Sequence, residues 1–426
     1  MKRRNAAEAR FKAYGIAAIA ISLVTLGVML WTIIGSGVSA FSQAKLTFPV
    51  ELTAQTLDPK GNRNRDEMAK ITTLGYNKVL AAAFKAEMAA KGIAIEGQSD
   101  KDVAAMISKD AAGDLRARVL ADPESVGSTI QATVLATGRI DGFLKGRVTM
   151  ETAQRDSNVT PEQLQLAEKL QAAGILKSSF NWDFITSPDA SDQRPEAAGL
   201  GVAIIGSAYM MLLVLITCVP VGVAASIYLE EFAPQNRWTD LVEVNISNLA
   251  AVPSIVFGIL GLAIFINFAG LPNSSSIVGA LVLSLMTLPT IIIATRASIK
   301  AVPPSIRDAA LGIGASKMQT VFHHVLPLAM PGILTGTILG LASALGETAP
   351  LLLIGMVAFV DNYPGAPVQG FMDPATALPV QVYGWAQRAD PAFIERSSGA
   401  IIILLIFLVA MNVAAILLRR RFERRW

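Results

Sequence analysis

The sequence has a single cysteine, Cys218, and this residue lies in an apolar stretch. An intrachain disulfide is therefore impossible, and any exported domain must be held together by its core alone. The chain also lacks a glycine-rich lysine loop for nucleotide phosphates, a zinc-ligand cluster and a nucleophile with a placed base. We therefore expect no catalytic residue, metal site or cofactor, and any energy for work must come from a partner.

Charged residues are scarce: they make up 16% of the chain, and hydrophobic residues make up 52%. This composition is too apolar for an ordinary soluble enzyme. Six uncharged runs are each close to the roughly 20 residues that a helix needs to cross a bilayer. They cover residues 14–36, 199–228, 246–268, 277–295, 328–345 and 400–418. The sequence therefore predicts an all-α polytopic membrane protein with six transmembrane helices.

A stretch of domain size separates the first run from the second. Residues 37–198 contain no segment that is long and apolar enough to cross a membrane, so they must lie on one side of it. In this stretch "AKLTFPVELT" alternates like a strand, "RDEMAKITTLGYNKVLAAAFKAEMAAK" has apolar residues at helical spacing, and Ser99 and Thr160 are placed to cap helices. We predict an α-rich domain with some β structure, inserted after the first span.

Lysine and arginine are unevenly placed. They crowd residues 1–13 and 419–426, and Arg296 and Arg307 follow the fourth run. Because cytoplasmic segments carry an excess of Lys and Arg, we expect both termini in the cytoplasm of a bacterial cell and residues 37–198 in the periplasm. Basic tails of this kind set topology more often than they bind nucleic acid, so membrane lipid is the expected contact.

The predicted domain organisation follows from these patterns. It consists of a cytoplasmic basic tail at residues 1–13, a first transmembrane helix at 14–36, a periplasmic domain at 37–198, a transmembrane domain at 199–418 that holds spans two to six, and a second basic tail at 419–426.

A segment between the fourth and fifth spans, residues 303–327, has clear local signals. Pro303 and Pro304 stop the preceding helix, and Ser305 is placed to cap a new helix with Asp308 as the acid three positions on. Gly312 and Gly314 then lower helix stability enough to permit a bend. We predict two short helices, which by themselves fit a surface-lying amphipathic helix or a docking element equally well.

This segment resembles the EAA loop of binding-protein-dependent ABC importer permeases. The family pattern is Glu-Ala-Ala, a glycine four positions on, and a later Ile-x-Leu-Pro. The matching residues here are Asp308, Ala309, Ala310, Gly314, Leu326 and Pro327. The resemblance implies that residues 305–327 couple the chain to a separate ATPase. Asp308 has a shorter reach than the usual Glu, and His324 stands where Ile is common, which weakens the contact or makes it sensitive to pH.

Glu347 is the only charged residue between positions 327 and 360, within "GETAPLLL". A helix that rises 1.5 Å per residue from Leu328 would carry Glu347 roughly 29 Å, close to the far side of the bilayer. Gly346 and Pro350 favour a break in the helix near this point, and an isolated carboxylate there is expected to mark a cavity.

The stretch "GETAPLL" is similar to a signature of the PstA-type permease of the phosphate importer. "FNWDFIT", "PEAAGLG" and "ASIYLEEFAP" resemble the same subgroup, in a variant with an extra N-terminal domain. This resemblance implies a permease subunit for phosphate that works with three kinds of partner. They are a PstC-like second permease, a PstB-like ATPase dimer and a PstS-like periplasmic phosphate-binding protein.

Glu347, Thr348 and Arg296 are the candidate pathway residues. A bare Glu would repel phosphate, so we expect Glu347 to hold an Arg or Thr348 in position or to pair with the second permease subunit, with simple exposure to headgroup water as the alternative. Arg296 fits a topology anchor better than a group that attracts the anion. Many PstA-type sequences carry Arg where this one has Ser343 and Ala344, which leaves sulfate or molybdate open as the cargo. A membrane-anchored sensor or assembly protein that works through its external domain is the third alternative.

Overall fold

The computed structural model describes residues 2–93, 99–356 and 359–422. The chain divides into two compact units. Unit 1 consists of Met1–Gly199 and Arg388–Gly399, and unit 2 consists of Leu200–Gln387 and Ala400–Trp426. The predicted periplasmic domain at 37–198 falls within unit 1, which in addition recruits twelve residues from near the end of the chain.

Unit 1 is α-rich with one small sheet, as the sequence predicts. Its helices are α1 (Lys2–Gly37), α2 (Ala54–Leu57), α3 (Arg65–Met68), α4 (Thr73–Ala90), α5 (Asp100–Ala104), α6 (Ala111–Ala121), α7 (Gly138–Leu144), α8 (Met150–Ala153), α9 (Pro161–Ala172) and α10 (Asp183–Thr186). Its strands are β1 (Ser42–Glu51), β2 (Thr129–Leu135) and β3 (Leu176–Phe180). Ser99 and Thr160 form the predicted capping boxes.

The antiparallel sheet has the order β2-β1-β3 and carries the core of unit 1. Leu46, Phe48 and Val50 alternate inward from β1, and α4 packs over them with the Phe48 and Phe84 ring centroids 5.1 Å apart. β1 also contains Pro49, which has no amide hydrogen to donate. The ladder to β3 ends at Leu46, so Pro49 lies beyond it and costs no hydrogen bond on that side.

A buried charge cluster completes unit 1. Lys145 Nζ lies 2.7 Å from Asp141 Oδ2 and 2.9 Å from Glu395 Oε1, and Arg147 Nε lies 2.5 Å from Glu395 Oε2. The buried Arg396 guanidinium donates to Gln43 Oε1 at 3.0 Å and to backbone carbonyls of residues 196 and 198. Charges this deep are tolerated because each has an opposite charge or several hydrogen bonds.

Unit 2 is helical throughout its described length apart from loops and one isolated bridge. Its helices are α11 (Gly201–Ile227), α12 (Arg237–Ala250), α13 (Ser254–Gly261), α14 (Ser276–Lys300), α15 (Pro304–Gly312), α16 (Lys317–Gln319), α17 (Leu326–Leu345), α18 (Ala349–Leu353), α19 (Leu378–Ala386) and α20 (Pro391–Phe422), the last of which begins in unit 1. Three π-helical segments, Tyr228–Phe232, Leu262–Phe268 and Thr320–Val325, extend or join them.

Five described helices are long and apolar enough to cross a membrane. They are Ala7–Phe41, Gly201–Phe232, Ser276–Lys300, Lys317–Leu345 and Pro391–Arg421. The remaining predicted span, at 246–268, is a broken one. The chain there forms α12 and Ser254–Phe268, bent by 103°, because Pro253 has no amide hydrogen for helix continuation and disfavours α geometry at the residue before it. Counted as one broken span, this pair makes six, and the predicted polytopic fold class is confirmed.

Small residues let two of these helices approach closely. Gly332, Gly336 and Gly340 lie four residues apart on α17, and each faces α14. A β-carbon added to Gly336 would overlap the β-carbon of Ala294, and one added to Gly340 would lie 2.9 Å from Thr287 Cγ2. This spacing of small residues is the pattern with which helices pack at close range inside membranes.

Candidate functional site

The segment 303–327 forms two short helices, as predicted. α15 ends at Gly312, and Gly314 has φ +91°, a left-handed conformation that favours glycine, so the chain turns there before α16 begins. α16 continues through Thr320–Val325 into α17, whose first turn contains Pro327.

The predicted cap at the first helix is wrong. α15 starts at Pro304 with Pro303 in the N-cap position, and Ser305 lies inside the first turn, because the fixed φ of Pro304 already suits the first helical position. The cap occurs instead at the second helix. Ser316 Oγ accepts from the Gln319 amide at 3.2 Å, and Gln319 Oε1 accepts from the Ser316 amide at 2.8 Å. The Ser-x-x-Gln spacing was a readable signal for this capping box.

Arg307 fastens the first short helix to the rest of unit 2. Its Nε and Nη2 donate to Glu231 Oε1 at 3.1 and 2.7 Å, and the same guanidinium donates to the carbonyls of Val302 and Ile299 at the end of α14. The Glu231 side chain is almost fully buried. Charge-assisted bonds of this kind hold orientation as well as adding energy, so α15 is rigidly mounted on α11 and α14.

Arg296 belongs to the same charged network. Its Nη2 donates to Glu243 Oε1 at 2.5 Å, its Nε lies 3.4 Å from Glu230 Oε2, and Lys300 Nζ lies 3.5 Å from that same oxygen. The π-helical turn Tyr228–Phe232, which follows α11, thus presents Glu230 and Glu231 to three cations. These are Arg296, Lys300 and Arg307. The Arg296 guanidinium thus faces two carboxylates of opposite charge.

The two short helices have an inner and an outer face. Ala310, Val321 and Val325 are buried, and the last two pack with Ile227 and Ile299 in a small apolar core. The opposite face leaves large apolar side chains in solvent. These are Leu311, Ile313, Met318 and Phe322, of which Ile313 is 83% exposed. Asp308 and Ala309 are also exposed.

Glu347 lies in the predicted helix break. α17 ends at Leu345, three residues follow without helical structure, and α18 begins at Ala349 with Pro350 in its first turn. The Glu347 and Thr348 side chains are half-buried. Among residues 2–93, 99–356 and 359–422, none bonds to the Glu347 carboxylate, so the structure gives this acid no positioning partner within the described chain.

The break is packed against the bent helix pair. A β-carbon on Gly258 of α13 would lie 2.7 Å from Pro350 Cα, so only glycine permits this approach of α13 to α18. Two short helices from different parts of unit 2 therefore meet beside Glu347. The structure does not bring Arg296 to this region, since that residue lies in the network at the end of α14 that also holds Arg307.

Sequence reasoning missed the acidic members of the network, Glu230, Glu231 and Glu243. The adjacent acids of "YLEEFAP", directly after an uncharged run, were a signal, because acids at the end of a span need cations. The described residues contain no group of three or more His, Cys, Asp or Glu that could hold a metal ion.

Comparison with family models agrees with this architecture. Residues 218–426 match the model for binding-protein-dependent transport system inner membrane components. Residues 1–154 match a domain of unknown function, DUF3333. The apolar helices, the mounted two-helix segment and the first of these matches define a membrane permease subunit.

Curated relatives narrow the class. A probable ABC transporter permease, YqgI of Bacillus subtilis, is 31% identical over 249 residues, which are 56% of this chain and 83% of that protein. The phosphate transport system permease protein PstA 1 of Mycobacterium tuberculosis is 30% identical over 54% of this chain and 73% of its own length. PstA of Xylella fastidiosa is 31% identical over 53% and 77%. The chain belongs to the family of binding-protein-dependent transport system inner membrane components, and the predicted PstA-type resemblance is confirmed.

Solved structures with similar helices include a methionine ABC transporter in inward-facing conformations, with a TM-score of 0.39 and 15% identity over 53% of this chain and 95% of that one. A bacterial ABC transporter for the polysaccharide alginate has a TM-score of 0.40 and 14% identity over 52% and 79%.

Proposed function

We propose that the chain is a permease subunit of an ATP-driven phosphate importer and forms part of the translocation pathway. The observation that carries this proposal is the likeness to PstA permeases, at about 30% identity over 54% and 53% of this chain, together with the family match at residues 218–426, which include the coupling segment. The chain itself hydrolyses no ATP in this proposal, and a separate ATPase supplies the energy.

The coupling role rests on the geometry of residues 303–327. Four large apolar side chains face solvent on a segment that is fixed from behind by Arg307 and Glu231. A rigidly mounted apolar knob suits a groove in a partner protein, because the contact buries apolar area and transmits displacement without bending. Movement of the ATPase would then pull on α14, which ends just before this segment, and on α17, which begins at its far end, and so change the side to which the pathway opens.

Glu347 and Thr348 line the pathway in this proposal. A half-buried carboxylate without a bonded partner in the described chain is suited to pair with a cation on the second permease subunit. That arrangement keeps the acid from repelling phosphate and supplies the positive charge that Ser343 and Ala344 lack. We assign Arg296 a structural role, since Glu230 and Glu243 already neutralise it.

The proposed assembly has three partners besides lipid. A PstC-like permease completes the pathway, a PstB-like ATPase dimer binds residues 303–327, and a PstS-like protein delivers phosphate. The proposed location is the bacterial inner membrane with both termini in the cytoplasm. The cations Arg296, Lys300, Arg307 and Lys317 then lie on the cytoplasmic side and residues 37–198 in the periplasm.

The cargo is tested by ATP-dependent uptake of labelled phosphate into vesicles that hold the chain with its neighbouring subunits. We expect uptake that excess unlabelled phosphate abolishes and that excess sulfate or molybdate leaves unchanged. Competition by sulfate or molybdate would indicate that the cargo is another oxyanion rather than phosphate. The sensor or assembly alternative is supported instead if none of the three anions is taken up and the cellular function of the protein is lost when residues 37–198 are deleted.

The coupling role is tested by Ile313→Asp. A charge forced into a buried apolar contact costs about 2 kcal/mol or more, so phosphate uptake should fall roughly tenfold or further. The matched control is Leu74→Asp, because Leu74 is 70% exposed on α4 of unit 1 and is not part of the coupling segment. Both variants should insert into the membrane and have the same free energy of unfolding as the parent protein. Normal uptake by Ile313→Asp would rule out docking through this face.

A further inference from the structure

Three aromatic side chains of unit 1 form a row that starts at the end of the first span. The Phe41 ring stacks on Phe180 with centroids 6.3 Å apart, and Phe180 meets Trp182 edge to face at 4.8 Å. Phe180 is 49% exposed and Trp182 is 65% exposed, although both are large apolar residues. Such a row at one spot on a small domain is a surface that favours an apolar or interfacial environment.

Two observations show where this row lies along the first span. Phe41 is the last residue of the apolar span Ala7–Phe41. A β-carbon on Gly399 of α20 would lie 2.7 Å from Ala40 Cβ, so α20 passes that level at Gly399. Between Arg396 and Arg419 the chain has no charged residue, so the apolar run of α20 also starts here. The end of the first span thus lies beside Gly399 of α20, and the aromatic row begins there.

The loop that carries the row is fixed in place. Asn181 Nδ2 donates to the Ala40 carbonyl at 3.2 Å, and its Oδ1 accepts from the Phe184 amide at 3.1 Å. Lys45 pairs with Asp183 at 3.0 Å. Phe184 packs edge to face on Phe41 at 5.4 Å. Because these contacts tie the loop to the end of α1, Phe180 and Trp182 cannot leave the level of the span ends without breaking them.

We propose that Phe180 and Trp182 are an interfacial anchor that seats unit 1 in the headgroup region of the phospholipid bilayer. Trp and aromatic neighbours favour that region because the ring prefers an apolar setting while the indole N–H retains a polar partner. The row lies where the first span ends, which is the depth at which such residues concentrate. Lipid is favoured over a protein partner because the row follows directly on the apolar span Ala7–Phe41, along which large apolar side chains such as Val24 and Trp31 are also exposed.

The depth of the row is tested in the full chain, reconstituted in phosphatidylglycerol and phosphatidylethanolamine vesicles. The only cysteine is replaced by Cys218→Ala, and a nitroxide is attached at Trp182→Cys or, separately, at Phe180→Cys. Val24→Cys, within the first span, is the hydrocarbon control, and Leu74→Cys, exposed on α4, is the aqueous control. The measurement is the ratio of collision rates of the label with oxygen, which partitions into lipid, and with a water-soluble nickel chelate.

We expect the ratio at positions 182 and 180 to be several-fold above that at 74 and below that at 24. A ratio equal to that at Leu74 would place the row in water and overturn the proposal. Exclusion of both relaxing agents would also overturn it, because the row would then be covered by protein. This experiment requires no transport, so its outcome is independent of the cargo and of the coupling role.

Discussion

At the scale of single residues, Arg307 and Glu231 show how one ion pair positions a working element. Arg307 donates hydrogen bonds to the buried Glu231 carboxylate and to two backbone carbonyls. It thereby joins the start of α15 to the turn after α11 and to the end of α14. Both partners are largely shielded from water, so neither is well hydrated if the other is removed.

Glu231→Gln should therefore destabilise unit 2 by about 2 to 4 kcal/mol, because the Arg307 charge loses its counter-ion in a shielded site. The check is the free energy of unfolding in detergent micelles, followed by tryptophan fluorescence. Lys300→Gln is the control, since Lys300 is 60% exposed and pairs with Glu230 at 3.5 Å, and it should change stability by less than about 0.5 kcal/mol. Equal effects of the two variants would contradict the argument.

Glu196 gives a pH-dependent prediction in unit 1. Burial raises the pKa of the Glu196 carboxyl above its ordinary value of 4.5, against the hydrogen bond from Ser108 at 2.6 Å. The folded state then binds the proton more tightly than the unfolded state, so stability is greatest below 4.5 and falls as pH rises through the raised pKa.

Glu196→Gln removes this titration. The unfolding free energy of the variant minus that of the parent should grow as pH rises from 4.5 through the raised pKa of Glu196, measured by denaturant unfolding at each pH. Other groups titrate in both proteins and cancel in the difference. Two pH profiles that run parallel would show that Glu196 is not the group responsible.

At the scale of elements, the contact between α14 and α17 depends on the absence of side chains. Gly332, Gly336 and Gly340 recur at every fourth position and face Ser298, Ala294 and Thr287. Both helices continue directly into the segment 303–327, so their separation sets the distance between the two ends of that segment. The contact is thus part of the coupling geometry as well as of the core.

Gly336→Ala should lower the stability of the chain by about 1 to 3 kcal/mol, since its β-carbon would overlap that of Ala294 and force the two helices apart. The control is Gly27→Ala in α1, where nothing lies within 4 Å of an added β-carbon. That variant should be neutral or slightly more stable. Thermal unfolding in detergent distinguishes the two, and a Gly336→Ala protein as stable as the parent would contradict the packing argument.

At the scale of the whole molecule, local signals predicted local structure. Gly346 and Pro350 predicted the break beside Glu347, and Thr160 predicted the start of α9, because each acts through its immediate neighbours. The broken span at Pro253 was missed because apolar composition masked a proline signal. The pairing of Arg296 with Glu230 and Glu243 was beyond sequence reasoning, since Arg296 lies 66 and 53 residues from these acids and meets them only after α11, α12 and α14 have packed.

Unit 1 also sets an order of events in biosynthesis. Lys145 and Arg147 both form ion pairs with Glu395, which is synthesised 250 residues after Lys145. Until α20 emerges from the ribosome and inserts, these two cations share only Asp141, and Gln43 and the carbonyls around residue 197 lack the guanidinium of Arg396. An unfinished chain therefore carries an incomplete N-terminal unit however long ago that unit was translated. The charge cluster of unit 1 is therefore complete only after α20 has been synthesised and has packed against it.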